Sequence, residues 1–173
     1  NPAGGNPMNR KALIVVLALV VGGVGWYLFR PERLWVTDKV NEGLPATTAA
    51  TTAASAEPVA LRSGMFHAVA HTTSGSAAIY QLADGKKVLR FSNFETSNGP
   101  DVQVYLVAAD DATDSDTVKK AGFIHVGALK GNIGDQNYDL PADVDLAKYR
   151  AVTVWCRRFG VNFGTAPLTP AHS

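Results

Sequence analysis

The chain has 173 residues, with 16 Lys and Arg against 15 Asp and Glu, for a formal net charge of +1. Residues 59–173 hold eleven of each sign, which argues against a nucleic-acid binder, since that function needs a basic face to displace counterions. One cysteine and four histidines exclude a disulfide framework, a CxxC redox pair, a cysteine-based zinc site and CxxCH haem attachment.

Residues 1–11 read as a short N-terminal tail. After Arg10 and Lys11 comes ALIVVLALVVGGVGWYLF, residues 12–29, an uncharged and mostly apolar run. As a helix it spans roughly 27 Å, close to the thickness of a hydrocarbon core. Trp26, Tyr27 and Phe29 gather at its far end as an interfacial belt does, and Arg30-Pro31 closes it. The alternative is a cleaved signal peptide, but no Ala-x-Ala site follows the run. The expectation is a single-pass anchor whose bilayer contact is residues 12–29. Basic residues nearly balance across the span, Arg10 and Lys11 against Arg30, Arg33 and Lys39. The tiny leading tail and the stalk-like segment that follows favour an N-inside orientation in a cell membrane, with the C-terminal domain extracytoplasmic.

Residues 30–58 read as a juxtamembrane segment followed by LPATTAATTAASAEP (44–58), a low-complexity linker with too little bulky apolar side chain to fold. From Val59 to Leu168 short apolar runs recur between Gly, Asn, Asp and Pro clusters, the texture of a mainly β domain. FHAVAH (66–71) is a candidate strand. AAIYQL (77–82) and KVLRFSNF (87–94) flank Asp84-Gly85, a hairpin signal. DVQVYLVA (101–108), FIHVGAL (123–129), AVTVWCRRF (151–159) and VNFGTAPL (161–168) complete about seven strands, while PADVDLAKY (141–149) suits a helical turn. The predicted fold is a single antiparallel β-sandwich, or a partly closed β-barrel, with residues 169–173 as a tail.

Strand parity puts Val152, Val154 and Cys156 on one face and Ala151, Thr153, Trp155 and Arg157 on the other. The thiol is therefore expected to point inward. There it is either a small buried hydrophobe or a redox thiol whose thiolate is favoured by Arg157 and Arg158. His67 and His71 stand four residues apart, about 13 Å along a strand, too far to share one metal. His125 is expected at the surface and His172 in the tail. ADDATDSDTVKK (109–120) lacks the glycine and distal glutamate of a calcium loop and reads as a solvated connection. FETSNGPDVQVY (94–105) and LKGNIGDQNYDLP (129–141) read as ordered polar loops. If they converge, Asn98, Asp101, Asn132, Asp135 and Asn137 line a ligand or cation site; if not, they are turn chemistry. No metal-ligand motif, P-loop, dinucleotide fingerprint or serine–histidine–acid set is legible, so an enzyme with its own substrate is not expected.

Three stretches together, HTTSGSAAIYQLADGKKVLRFSNFETSNGPDVQVYL (71–106), VGALKGNIGDQNYDLP (126–141) and YRAVTVWCRRFGVNFGTAPL (149–168), resemble the DM-thirteen domain of Skeletor-type proteins. The resemblance covers residues 61–168. It implies an extracytoplasmic β-sandwich used in electron transfer, with one characteristic cysteine in the "WC" strand. Cys156 matches that position, and Asp101, Gly131, Asp135, Tyr138 and Trp155 match other signature positions. It further implies a redox or cell-surface protein partner and a haem or metal held in trans, no cofactor being encoded by a motif here. The competing expectation is a non-catalytic cell-surface binding or structural envelope module.

Overall fold

A computed structural model describes residues 9–29, 36–45 and 57–171. The expectations for residues 1–8, 30–35, 46–56 and 172–173, including most of the Ala/Thr-rich tract and His172, lie outside the described residues. Helix α1 (Arg10–Phe29) has 20 residues and is apolar on every side. It is long and apolar enough to cross a membrane, and none of that stretch is buried against the protein. A signal sequence has the same length and composition.

The rest is built on β1 (Lys39–Asn41), β2 (Val59–Met65), β3 (His67–Ala68), β4 (Thr73–Gln81), β5 (Lys87–Thr96) and β6 (Val102–Val107). Helix α2 (Ser115–Ala121) follows, then β7 (Phe123–Ala128), β8 (Ile133–Asp139), β9 (Ala151–Cys156), β10 (Val161–Pro167) and β11 (Thr169–Pro170). One sheet has the order β1-β8-β5-β4-β2-β11 and the other β3-β10-β9-β6-β7. Every pairing is antiparallel except β1 on β8. The fold is a mainly β sandwich of two sheets and not a closed barrel.

Asp84 and Gly85 turn β4 into β5 as their chemistry requires. Gly85 takes φ +84°, and the Lys86 N–H donates to Asp84 Oδ1 at 3.0 Å. The inward faces of the two sheets meet in one apolar core, where Phe66, Phe91 and Phe94 pack with ring centroids 4.9 to 5.1 Å apart. Burying each such ring stabilises the fold by about 1.5–3 kcal/mol. Strands β6 and β9 are buried at all their positions. Val102, Val104, Leu106, Val152, Val154 and Cys156 face this core, whereas Tyr105, Val107, Ala151 and Trp155 face a second apolar layer.

That second layer is closed by α2, and it overturns the reading of residues 109–120 as a solvated loop. Asp114 caps the helix through Thr117 N, and Val118 and Ala112 are fully buried against sheet residues. A two-turn helix carrying one inward valine leaves too short a periodicity to stand out in a stretch of aspartates. The 141–149 stretch forms hydrogen-bonded turns, with Val144 N–H on Pro141 O and Tyr149 N–H on Asp145 O. The expected strand at 66–71 shortens to β3, and β9 stops at Cys156, before a turn closed by Gly160 N–H on Cys156 O at 2.8 Å.

Two further departures bear on the site. Residues 133–139, expected as part of a polar loop, form β8, paired to β5 through Tyr138–Leu89 and Gln136–Phe91. Residues 36–45, expected between anchor and head, are part of the head: β1 lies parallel on β8 with Val40 opposite Gly134. Residues 46–56 therefore join two segments of the same domain. β11, within the expected tail, pairs with β2.

Candidate functional site

The two polar loops do converge, though only in part. Residues 97–103 and 128–132, with Asp38, line a cleft of about 260 Å³. Three of the five sequence candidates are there. Asn98 Nδ2 donates to Val36 O at 2.6 Å. Asp101 accepts from Arg157 Nε at 2.9 Å and from Gln103 Nε2 at 2.7 Å. Asn132, buried, donates to Thr96 O at 3.2 Å and accepts the Asp38 N–H at 2.8 Å. These bonds tie the rim to Val36, Asp38, Thr96 and Arg157 and leave a mouth lined by side-chain amides, carboxylates and backbone groups.

Asp135 and Asn137 are elsewhere. β8 projects them onto the outer face of its sheet, where Asp135 Oδ2 accepts from Arg90 Nη2 at 2.6 Å and Asn137 Oδ1 from Arg90 Nη1 at 3.0 Å. Arg90 also reaches Glu42 O at 2.9 Å, Asn137 Nδ2 donates to Gly43 O at 2.7 Å, and the Asn137 N–H donates to Glu42 Oε2 at 2.8 Å. This group clamps residues 36–45 to the sheet. Burial raises the Glu42 pKa, but the Lys130 ammonium and the Asn137 N–H more than offset it, and the carboxyl lies below its ordinary range.

Tyr138 and Trp155 are buried. Tyr138 OH donates to Gln136 Oε1 at 2.7 Å and accepts the Lys130 N–H at 3.2 Å. Burial pushes its phenol pKa far up, so it stays neutral. Gln136, fully buried, also holds the wall of the cleft: its Nε2 donates to Gly131 O at 3.0 Å. Sequence reasoning missed Gln136, Lys130, Arg90 and Glu42. The missed signal was the inward alternation of Gln136 and Tyr138, hidden because a glutamine occupied a core-facing position. Trp155 packs in the second layer beneath Lys119, whose Nζ stands 5.9 Å from the ring centroid.

Cys156 is fully buried in the main core. It lines none of the clefts described here, but its register partner on β6 is Val102, a wall residue of the 260 Å³ cleft. Gly99, on the rim, rests directly on that wall: a Cβ there would lie 2.7 Å from Val102 Cγ2 and 3.0 Å from Phe163 Cζ. The 97–101 loop thus packs closely on Val102 and Phe163, which leave no room for a larger residue at 99.

The histidines are separate. His67 Nε2 bonds Asp111 Oδ1 at 2.9 Å, His71 packs on Phe163 with ring centroids 3.9 Å apart and planes tilted by 40°, and the exposed His125 bonds Gln103 at 2.8 Å. Among the described residues no three His, Cys, Asp or Glu side chains group as metal ligands. A family model described as electron transfer DM13 matches residues 65–168. No curated protein and no solved structure matches the chain.

Proposed function

The chain belongs to the DM13 electron-transfer family, and from that premise we propose that it is a membrane-tethered electron-transfer module with the Cys156 thiol as its redox centre. In this reading α1 is an uncleaved span, N-inside, and the β domain stands on the extracytoplasmic side. The cleft at 97–103 and 128–132 receives a redox or cell-surface protein partner. The observation that carries the reading is the β6–β9 register, which sets the thiol one strand behind Val102 of the cleft wall.

The chemistry open to a single thiol is exchange with a partner disulfide. Once exposed, the Cys156 thiol loses its proton to water, its thiolate attacks one sulfur, a mixed disulfide forms, and the other partner sulfur leaves as thiolate. A second thiol attacking that bond releases Cys156. Displacement of the 97–101 loop gives access, and its closure shields the thiol from bulk oxidants between turnovers. The described donors do not fit a haem or metal bound within the core, because Cys156 is surrounded by valines and lacks a second ligand.

The test is an aromatic disulfide reagent applied to the full chain in its membrane. Release of aryl thiolate in step with a mixed disulfide at Cys156, absent in Cys156→Ser, is expected. Release only after unfolding refutes the redox centre and leaves the polar cleft as a binding site without redox chemistry. A membrane-impermeant form of the reagent, applied to intact cells, reads the orientation at the same time.

A further inference from the structure

The end of the sandwich that faces the anchor is identified by contacts near Val36, the first described residue after α1. Its carbonyl accepts from Asn98 on the cleft rim. On the same rim, Asp101 O accepts the Arg157 N–H at 2.9 Å and the Asp101 carboxylate pairs with the Arg157 guanidinium. The turn from β9 to β10, residues 157–160, therefore lies beside the point at which the chain arrives from α1. Consistent with this, Arg158 Nη1 donates to Leu28 O, in the last turn of α1, at 2.8 Å. Seven Cα–Cα steps separate Phe29 from Val36, a reach of at most about 25 Å. Because residues 36–45 are clamped to β8, the Ala/Thr tract adds nothing to that reach.

This turn carries the most exposed phenylalanine among the described residues of the β domain. Phe66, Phe91, Phe94 and Phe163 are buried, and Phe123, 46% exposed, stacks on Tyr105 with ring centroids 4.4 Å apart, whereas Phe159 is 61% exposed at the tip, next to two exposed arginines. Such a residue contributes nothing to the core, and an aromatic ring flanked by cations suits the level of lipid headgroups. Arg157 is engaged by Asp101. Arg158 spends one donor on Leu28 O and has further N–H groups for phosphate oxygens.

We propose that the Arg157–Gly160 turn is a second membrane contact, in which Phe159 enters the headgroup layer and Arg158 binds lipid phosphates. The head then lies on the bilayer with its cleft rim and the Cys156 end of β9 turned toward the surface. A partner that reaches the cleft must itself work at the membrane surface. This rests on α1 being a membrane span.

The experiment is amide hydrogen exchange on the full chain in phosphatidylglycerol nanodiscs and in detergent. Amides at 157–161 should exchange roughly tenfold more slowly on the bilayer than in detergent. The Arg158→Glu/Phe159→Ser double variant should lose that difference while the amides of β6 and β9 keep their protection in both media, since both substituted side chains are exposed. Equal exchange at the turn in both media, or equal slowing in the variant, overturns the proposal. So does slowing that appears in detergent and grows with protein concentration, the behaviour of a contact between copies. Unprotected α1 amides in nanodiscs overturn the membrane reading and this proposal with it; protected α1 with an unchanged turn overturns this proposal alone.

Discussion

Gly134→Ala should release residues 36–45 from the head while the sandwich stays folded. Gly134 sits at φ +103°, where an L-residue costs roughly 1–2 kcal/mol. A Cβ there would also run into Val40 O, and β8 is held by β5, so β1 is the element that must move. With β1 displaced, Glu42 gives up the Asn137 N–H bond, a charge-assisted contact of about 1.5–3 kcal/mol. It also gives up the Lys130 pair, which is 41% and 34% exposed and contributes at most ~1 kcal/mol after solvent screening. Together these are roughly 2–4 kcal/mol, or about 30- to 700-fold in the opening equilibrium read by hydrogen exchange. The amides of 39–42 should lose protection on that scale, whereas those of β6 and β9, inside the family-matched region, should not. Strain remaining in β8 should lower the melting temperature by about 4–10 °C. Unchanged protection at 39–42 would refute the argument, because it would mean that β1 tolerates a side chain where the register leaves no room.

Gln136→Leu should cost about 2 kcal/mol or more in chemical denaturation, because Tyr138 OH and Gly131 O lose their buried partner together, while the Lys130 N–H keeps Tyr138 OH; a loss below about 1 kcal/mol would contradict the network. Cys156→Ser should cost about 1–3 kcal/mol by placing a hydroxyl in an apolar core, and a neutral result would argue that the thiol is not interior. For His67, burial pulls the pKa down, but the hydrogen bonds to Asp111 and to Ala68 O, with the Asp111 charge, outweigh it and the net shift is upward. A raised folded-state pKa means that this contribution is full below about pH 6.5 and fades as pH rises through the shifted value. Asp111→Asn should therefore flatten the pH dependence of stability in that window. For Glu42 the shift is downward, so its hold on residues 36–45 persists above the ordinary carboxylate range and is lost as pH falls through its lowered pKa. Protection of the 39–42 amides, taken relative to their intrinsic exchange rate at each pH, should then fall in acid.

Legibility followed how local each signal was. The inward position of Cys156 needed nothing beyond the two-residue period of AVTVWC, and β9 has that alternation, with its valines and thiol in the main core and Trp155 in the second layer. The Asp84-Gly85 hairpin depended on the backbone preferences of two residues. The apolar run of α1 is similarly self-contained, because length and uniform apolarity need no partner. By contrast, the five polar loop candidates looked alike in sequence and were separated by sheet geometry. Asn98, Asp101 and Asn132 fall in connections that meet at one end of the sandwich. Asp135 and Asn137 fall on a strand whose pleat turns them outward to Arg90.

The same division explains the segment after α1. Composition determined that residues 44–58 contain little to bury, and hydrophobic patterning determined that a sheet domain follows. Only the tertiary structure assigned residues 36–45 to that domain. Their hold depends on groups such as Arg90, Asn132 and Asn137, which lie dozens of positions away in the chain and are brought within hydrogen-bond distance by the pairing of β5 with β8. Side-chain periodicity reports which face a residue occupies. Which faces and loops become neighbours is set by sheet order and register, which are properties of the whole fold.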